Sequence, residues 1–117
     1  GLVGSEMCIR DRSWANCPQW WPIAKQVGWP ETELATLDAI IWRESRCDQY
    51  AYAGGQLSPH DHSFGLTQTN LKGTLWPDRK RRCGLEHDYD LFDPATNLRC
   101  ALILWKRSGW APWQVTK

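Results

Sequence analysis

Apolar residues recur at three- and four-residue intervals through WPETELATLDAIIWRES, residues 29–45, where Leu34, Leu37, Ile40 and Ile41 form one stripe. That period predicts an amphipathic helix, with Pro30 suited to its start and acids in its first turn. The next position on the stripe is Glu44, a carboxylate where a buried leucine belongs. A second strong helix is predicted over FDPATNLRCALILWKRSG, residues 92–109. Asp93 can cap it, Pro94 fits its first position, Leu98, Ala101, Leu102 and Trp105 make its apolar face, and Gly109 ends it. CPQWWPIAKQVG holds a short helix stopping near Gly28. Residues 48–65, rich in Gly, Ser, Pro, Asp and His, read as loop or a small hairpin. GLTQTNLKGTLW reads as a short helix and a turn, and DRKRRCGLEHDYD as an exposed loop. The fold expected is mainly α, a single domain with an irregular segment or small hairpin between two core helices.

The 117 residues suffice for one modest core, and the 42% hydrophobic and 23% charged content is ordinary for a globular chain. A formal net charge of +1 argues against a nucleic-acid partner, and the apolar runs are too short for membrane insertion. A monomer is expected. Residues 1–12, GLVGSEMCIRDR, resemble a translated sequencing-adaptor artefact and are set aside, leaving residues 13–117 as the domain. On that reading a missing leader says nothing about secretion. Cys8 falls in the set-aside segment, so four cysteines remain: Cys17, Cys47, Cys83 and Cys100. In so small a chain they fit two disulfides and an oxidising compartment, so a secreted or periplasmic location is expected. Three pairings are open, with Cys17–Cys47 and Cys83–Cys100 preferred. No pair has the C-x-x-C spacing of structural zinc sites. HDYDLFD lacks both the mid-loop glycine and the final acid of a calcium loop, and His60, His62 and His87 are too few and scattered. Neither metal nor organic cofactor is expected.

Burying Glu44 against apolar surface makes its charged form costly, which favours the proton a general acid must hold. The alternative is that Glu44 turns outward or pairs with Arg43, Arg46 or another base; its surroundings in sequence sharpen the acid reading. Arg43-Glu44-Ser45 is followed by SFGLTQTN, residues 63–70, and then by DPATN, residues 93–97. This set resembles the soluble lytic transglycosylase and goose-type lysozyme superfamily, whose motifs are Glu-Ser, Gly-Leu-x-Gln-x-Asn and an Asp-Pro-x-x-Asn helix start. The likeness covers residues 17–113. Thr67 stands where the family often has Met or Phe, and the family's Ala-Tyr-Asn motif is absent.

The resemblance implies a lysozyme-like domain cleaving the β-1,4 bond between N-acetylmuramic acid and N-acetylglucosamine in peptidoglycan strands. Glu44 would be the acid and then the base. Asp61 would orient water if the reaction is hydrolysis. In transglycosylation the muramoyl 6-hydroxyl attacks instead, and both routes stay open. Ser45, Gly65, Leu66, Gln68 and Asn70 occupy the motif positions next to substrate. Gly65 would admit a close approach of sugar or serve a turn. The amides of Gln68 and Asn70 match N-acetyl and hydroxyl groups, although Asn70 equally fits backbone capping. Among fourteen aromatic residues, nine of them Trp, candidate cleft walls are Tyr50, Tyr52, Phe64, Trp76, Trp110 and Trp113. Alternatives from other classes are a binding domain for peptidoglycan or chitooligosaccharide without chemistry, and a phage-tail or secretion-apparatus component of the same fold. The run Asp78–Arg82 reads as a solvated face, or as an attraction to an anionic wall.

Overall fold

The computed structural model describes residues 15–114; the segment 1–12 set aside above, with Cys8, lies outside them. Five α-helices and a small antiparallel sheet are described: α1 (Trp21–Val27), α2 (Leu34–Ser45), β1 (Tyr52–Gly54), β2 (His62–Phe64), β3 (Thr69–Asn70), α3 (Leu75–Cys83), α4 (Pro94–Ser108) and α5 (Ala111–Gln114). The chain is therefore mainly helical, with a hairpin-like sheet between core helices. Tyr52 pairs with Phe64 across β1 and β2, and Phe64 pairs with Thr69 across β2 and β3.

The long helices form where the apolar period lies. α2 places Leu34, Leu37, Ile40 and Ile41 in one core with Leu98, Ala101, Leu102 and Leu104 of α4, and Leu66 and Trp113 join them. Each such side chain contributes about 1.5–3 kcal/mol by leaving water. Asp93 caps α4 by accepting from Thr96 N–H, and Pro94 occupies its first turn. Gly28 ends α1 at φ 115°. α2 begins later than its sequence suggests. Pro30 is extended, Glu31–Glu33 form a 3₁₀ turn, and the α-helix starts at Leu34.

One buried acid supports the N-terminal side of the core. Asp38, only 2% exposed, accepts from Asn16 N–H (2.9 Å), Cys17 N–H (2.8 Å) and the Trp21 indole (3.0 Å). Nearby, Cys17 bridges to Cys47 just beyond α2, and Cys83 at the end of α3 bridges to Cys100 in α4. Of the three possible pairings the chain adopts the preferred one.

Two expectations are corrected. The expected short helix in GLTQTNLKGTLW is a turn at residues 65–68 followed by β3, because Gly65 (φ 78°) and Gln68 (φ 49°) lie in the left-handed region, which a right-handed helix excludes. The expected loop DRKRRCGLEHDYD contains most of α3 and a 3₁₀ turn at Asp88–Phe92. α3 turns its disulfide cysteine inward and carries its charges elsewhere, so little apolar periodicity marks it.

Candidate functional site

Glu44 is the penultimate residue of α2. The helix stops because Arg46 (φ 54°) and Cys47 (φ 67°) turn left-handed, and the Cys17–Cys47 bridge fixes that reversal covalently. The Glu44 side chain is 16% exposed, so it lies against the protein as its place on the apolar stripe requires. It is not alone there. Arg43 Nε donates to Glu44 Oε2 at 3.1 Å, while Arg43 Nη2 donates to the Trp113 carbonyl at 2.6 Å. Glu44 Oε1 has no hydrogen-bond partner among the described residues. The Trp113 indole donates to the Thr67 carbonyl at 3.0 Å. A chain of contacts thus runs from Glu44 through Arg43 and Trp113 to the residue preceding Gln68.

The 65–68 turn is held from below by Asn97, which is wholly buried. Its amide nitrogen donates to the carbonyls of Phe64 and Leu91, both at 3.0 Å. Its oxygen accepts from Thr67 N–H at 3.1 Å and the Thr67 hydroxyl at 2.7 Å. All four bonding positions of the amide are filled. Thr67 is hydroxylic rather than apolar because it completes this set and also meets Thr69 Oγ1 at 3.1 Å. A β-carbon on Gly65 would collide with the Leu91 carbonyl oxygen and the Asn97 amide nitrogen. Glycine is required there by Asn97, and the close approach expected of a sugar is taken by protein.

Gln68 is fixed in a left-handed conformation, with its Nε2 donating to Ala51 O at 3.0 Å and Gly65 O at 3.1 Å. Ala51 also accepts Gly65 N–H at 2.8 Å, which ties the segment leaving α2 to the turn. With both partners carbonyls, the amide orientation is determined and Oε1 is the atom left open. Asn70 is the complement. Its Oδ1 accepts from His62 N–H (3.1 Å) and Lys72 N–H (3.0 Å), leaving Nδ2 without a partner among the described residues. Of its two sequence alternatives, backbone capping is the one observed, through the oxygen. Gln68 and Asn70 line a groove of about 150 Å³ together with Leu75, Arg79, Leu104 and Trp113. The unengaged atoms of Gln68 and Asn70, one acceptor and one donor, are the types that match the N–H and C=O of an acetamido group.

The other expected contacts fall elsewhere. Leu66 is 0% and Phe64 4% exposed, so both are core residues with almost no surface to offer a sugar. Ser45 is buried and donates its hydroxyl to Ile41 O at 3.0 Å, completing its own helix. Trp110 stacks on Trp29 at 5.5 Å and donates to Glu33 at 3.3 Å, so it belongs to an aromatic wedge among α4, α5 and the residues before α2. Tyr52 is half exposed on β1, and its hydroxyl meets His62 Nδ1 at 2.8 Å. His62 Nε2 in turn meets Asp88 at 3.1 Å. His62, Asp88 and Trp76 line a second hollow of about 260 Å³. Asp61 is half-buried in the turn leading into β2, with its N–H donating to Ser58 O. Tyr50 is exposed beside Phe92 at 5.9 Å.

The sequence alternative that Glu44 pairs with a neighbouring base is the one found, with Arg43 rather than Arg46 as the partner, whereas the roles of Asn97 and Arg79 were missed. The Asn97 signal was present, since an Asn on the core side of a well-capped helix needs four partners. Arg79 was hidden by treating its segment as a solvated loop. Among the described residues no group of three or more His, Cys, Asp or Glu is placed to hold a metal, and no helix is long and apolar enough to cross a membrane. No protein-family model, curated protein or solved structure matches the chain.

Proposed function

We propose that this chain is a secreted muramidase that cleaves the β-1,4 linkage between N-acetylmuramic acid and N-acetylglucosamine, with Glu44 as its acid and base. The observation that carries the reading is the linkage just described: a mostly buried carboxylate with one open oxygen, connected through Arg43, Trp113 and Thr67 to a groove that Glu44 does not itself line but that Gln68 and Asn70 do, each with one unengaged amide atom. Two disulfides suit the oxidising compartment in which such a wall enzyme works.

In the proposed reaction Glu44 protonates the glycosidic oxygen as the C1–O bond breaks and positive charge develops on the sugar ring. The carboxylate left behind then accepts a proton from the nucleophile that bonds to C1. If the nucleophile is the muramoyl 6-hydroxyl, the product is an anhydro sugar and no water is consumed. If it is water, a reducing end results. Gln68 Oε1 and Asn70 Nδ2 would hold an acetamido group through its N–H and C=O, fixing the sugar while the bond is cut. Arg43 steadies the acid from its other oxygen.

The test is mass spectrometry of the fragments released from purified peptidoglycan. The reading requires cuts between muramoyl and glucosaminyl residues, and the ends identify the route. Fragments cut only at amide bonds, or binding without any release, would overturn it.

A further inference from the structure

Arg79 stands at the wall of the Gln68–Asn70 groove with donors it does not use. Its side chain is 14% exposed, and its Nη1 donates to Asp78 Oδ2 at 2.7 Å. Its Nε is shielded from solvent and has no hydrogen-bond partner, and Nη2 has none among the described residues. With Nη1 engaged, the open edge of the guanidinium is the pair of parallel N–H bonds on Nε and Nη2. That edge matches the two oxygens of a carboxylate. A shielded donor left unpaired is unfavourable, so a rotation of the side chain that brings this edge to an acceptor in the groove lowers the free energy.

The surroundings favour an anion too. Asp78 is approached not by Arg79 alone but also by Arg82 Nε at 2.8 Å, Arg81 Nη2 at 3.4 Å and Arg107 Nη1 at 3.4 Å. Four guanidinium groups share one carboxylate, so positive charge is in excess beside the groove. The same groove is lined by Gln68 and Asn70, the two amide residues proposed to hold an acetamido group.

We propose that Arg79 is a specificity residue, forming a subsite for a carboxylate borne by the amino-sugar glycan close to its acetamido group. This rests on the muramidase reading and names a feature of its substrate: the groove prefers sugars carrying an acid substituent to uncharged chitooligosaccharides. The carboxylate could belong to the lactyl group of bare glycan or to an attached stem peptide. The Arg79 edge engages either in the same way.

The experiment is calorimetric titration of the protein and of Arg79→Gln with three tetrasaccharides at low salt. The first is chitotetraose. The second alternates N-acetylglucosamine with N-acetylmuramic acid bearing free lactyl carboxylates. The third is that glycan with its lactyl groups extended by an Ala–Glu dipeptide. At least one acidic glycan binds about ten-fold more tightly than chitotetraose, the scale of one charge-assisted pair. Arg79→Gln brings that ratio close to one, while Arg79→Lys keeps part of it. Which acidic glycan shows the preference identifies the source of the carboxylate. Equal binding of all three by the unaltered protein overturns the subsite and leaves the muramidase reading standing. Equal weakening of all three by Arg79→Gln also overturns it, because a merely structural arginine would do that. Binding of none overturns both.

Discussion

Asn97→Ala tests how the groove is held. Removing the amide leaves two buried groups without their partner, the carbonyl of Leu91 and the N–H of Thr67, while the Phe64 carbonyl keeps Thr69 N–H across β2 and β3. The Thr67 hydroxyl keeps Thr69 within reach, so it is not counted. Each orphaned group costs about 1–3 kcal/mol. Some relaxation and water entry are expected, so the sum is about 2–4 kcal/mol. Domains of this size have about 5–15 kcal/mol in total. The assay is urea unfolding of the disulfide-intact protein followed by tryptophan fluorescence. With a slope of about 1–1.5 kcal/mol per molar, the midpoint falls by about 2 M. Asn97→Asp should be at least as harmful, since it keeps the acceptor for Thr67 but sets a carboxylate against two carbonyl oxygens. A midpoint shift under about 0.5 M for Asn97→Ala, with unchanged slope, would refute the claim that this amide holds the turn.

Removing the Cys17–Cys47 bridge by paired serines frees a 30-residue separation, and unfolding measurements should show a loss of about 3–4 kcal/mol. Hydrogen exchange should show the added opening around Cys47 and the end of α2, next to Glu44. Asp78 gives a pH-dependent prediction. Hydrogen bonding to Arg82 first, then to Arg79, outweighs partial burial and lowers its pKa from 3.8 to about 2. A carboxyl whose folded value is depressed stabilises above its unfolded value and loses that contribution as pH falls towards 2. Asp78→Asn should therefore destabilise by about 1 kcal/mol at neutral pH, allowing for solvent screening. The gap should close between about pH 4 and pH 2 in thermal melts, and a gap constant across that range would contradict the assignment.

Much of the frame was legible because local signals and burial agree. The apolar stripes of residues 34–41 and 98–104 became α2 and α4, Asp93 capped where expected, and Gly28 stopped α1. What was not legible depended on distant partners. The turn at residues 65–68 looked helical because nothing in its own sequence reveals Asn97, some thirty residues later, which rewards the non-helical conformation. α3 was obscured by four consecutive basic residues. Its buried anchor is Cys83, whose disulfide to Cys100 replaces the apolar stripe that periodicity seeks. At the candidate site, the place of Glu44 on its apolar stripe and the motif resemblance at Gln68 and Asn70 pointed to these residues. Only coordinates show which amide atoms stay open. The expected sugar contacts at Leu66 and Phe64 failed for a plain reason, since apolar motif positions beside a site are often its floor, inside the core.

The central claim is that the Glu44 carboxylate carries the proton in bond cleavage, and the Glu44→Gln protein measures it most directly. The substitution keeps size and an oxygen for Arg43, so the melting temperature should stay within a few degrees. Release of soluble muropeptides from purified peptidoglycan should fall at least about a hundred-fold, the scale of a lost general acid. A folded Glu44→Gln protein that releases them at the unaltered rate would contradict the account.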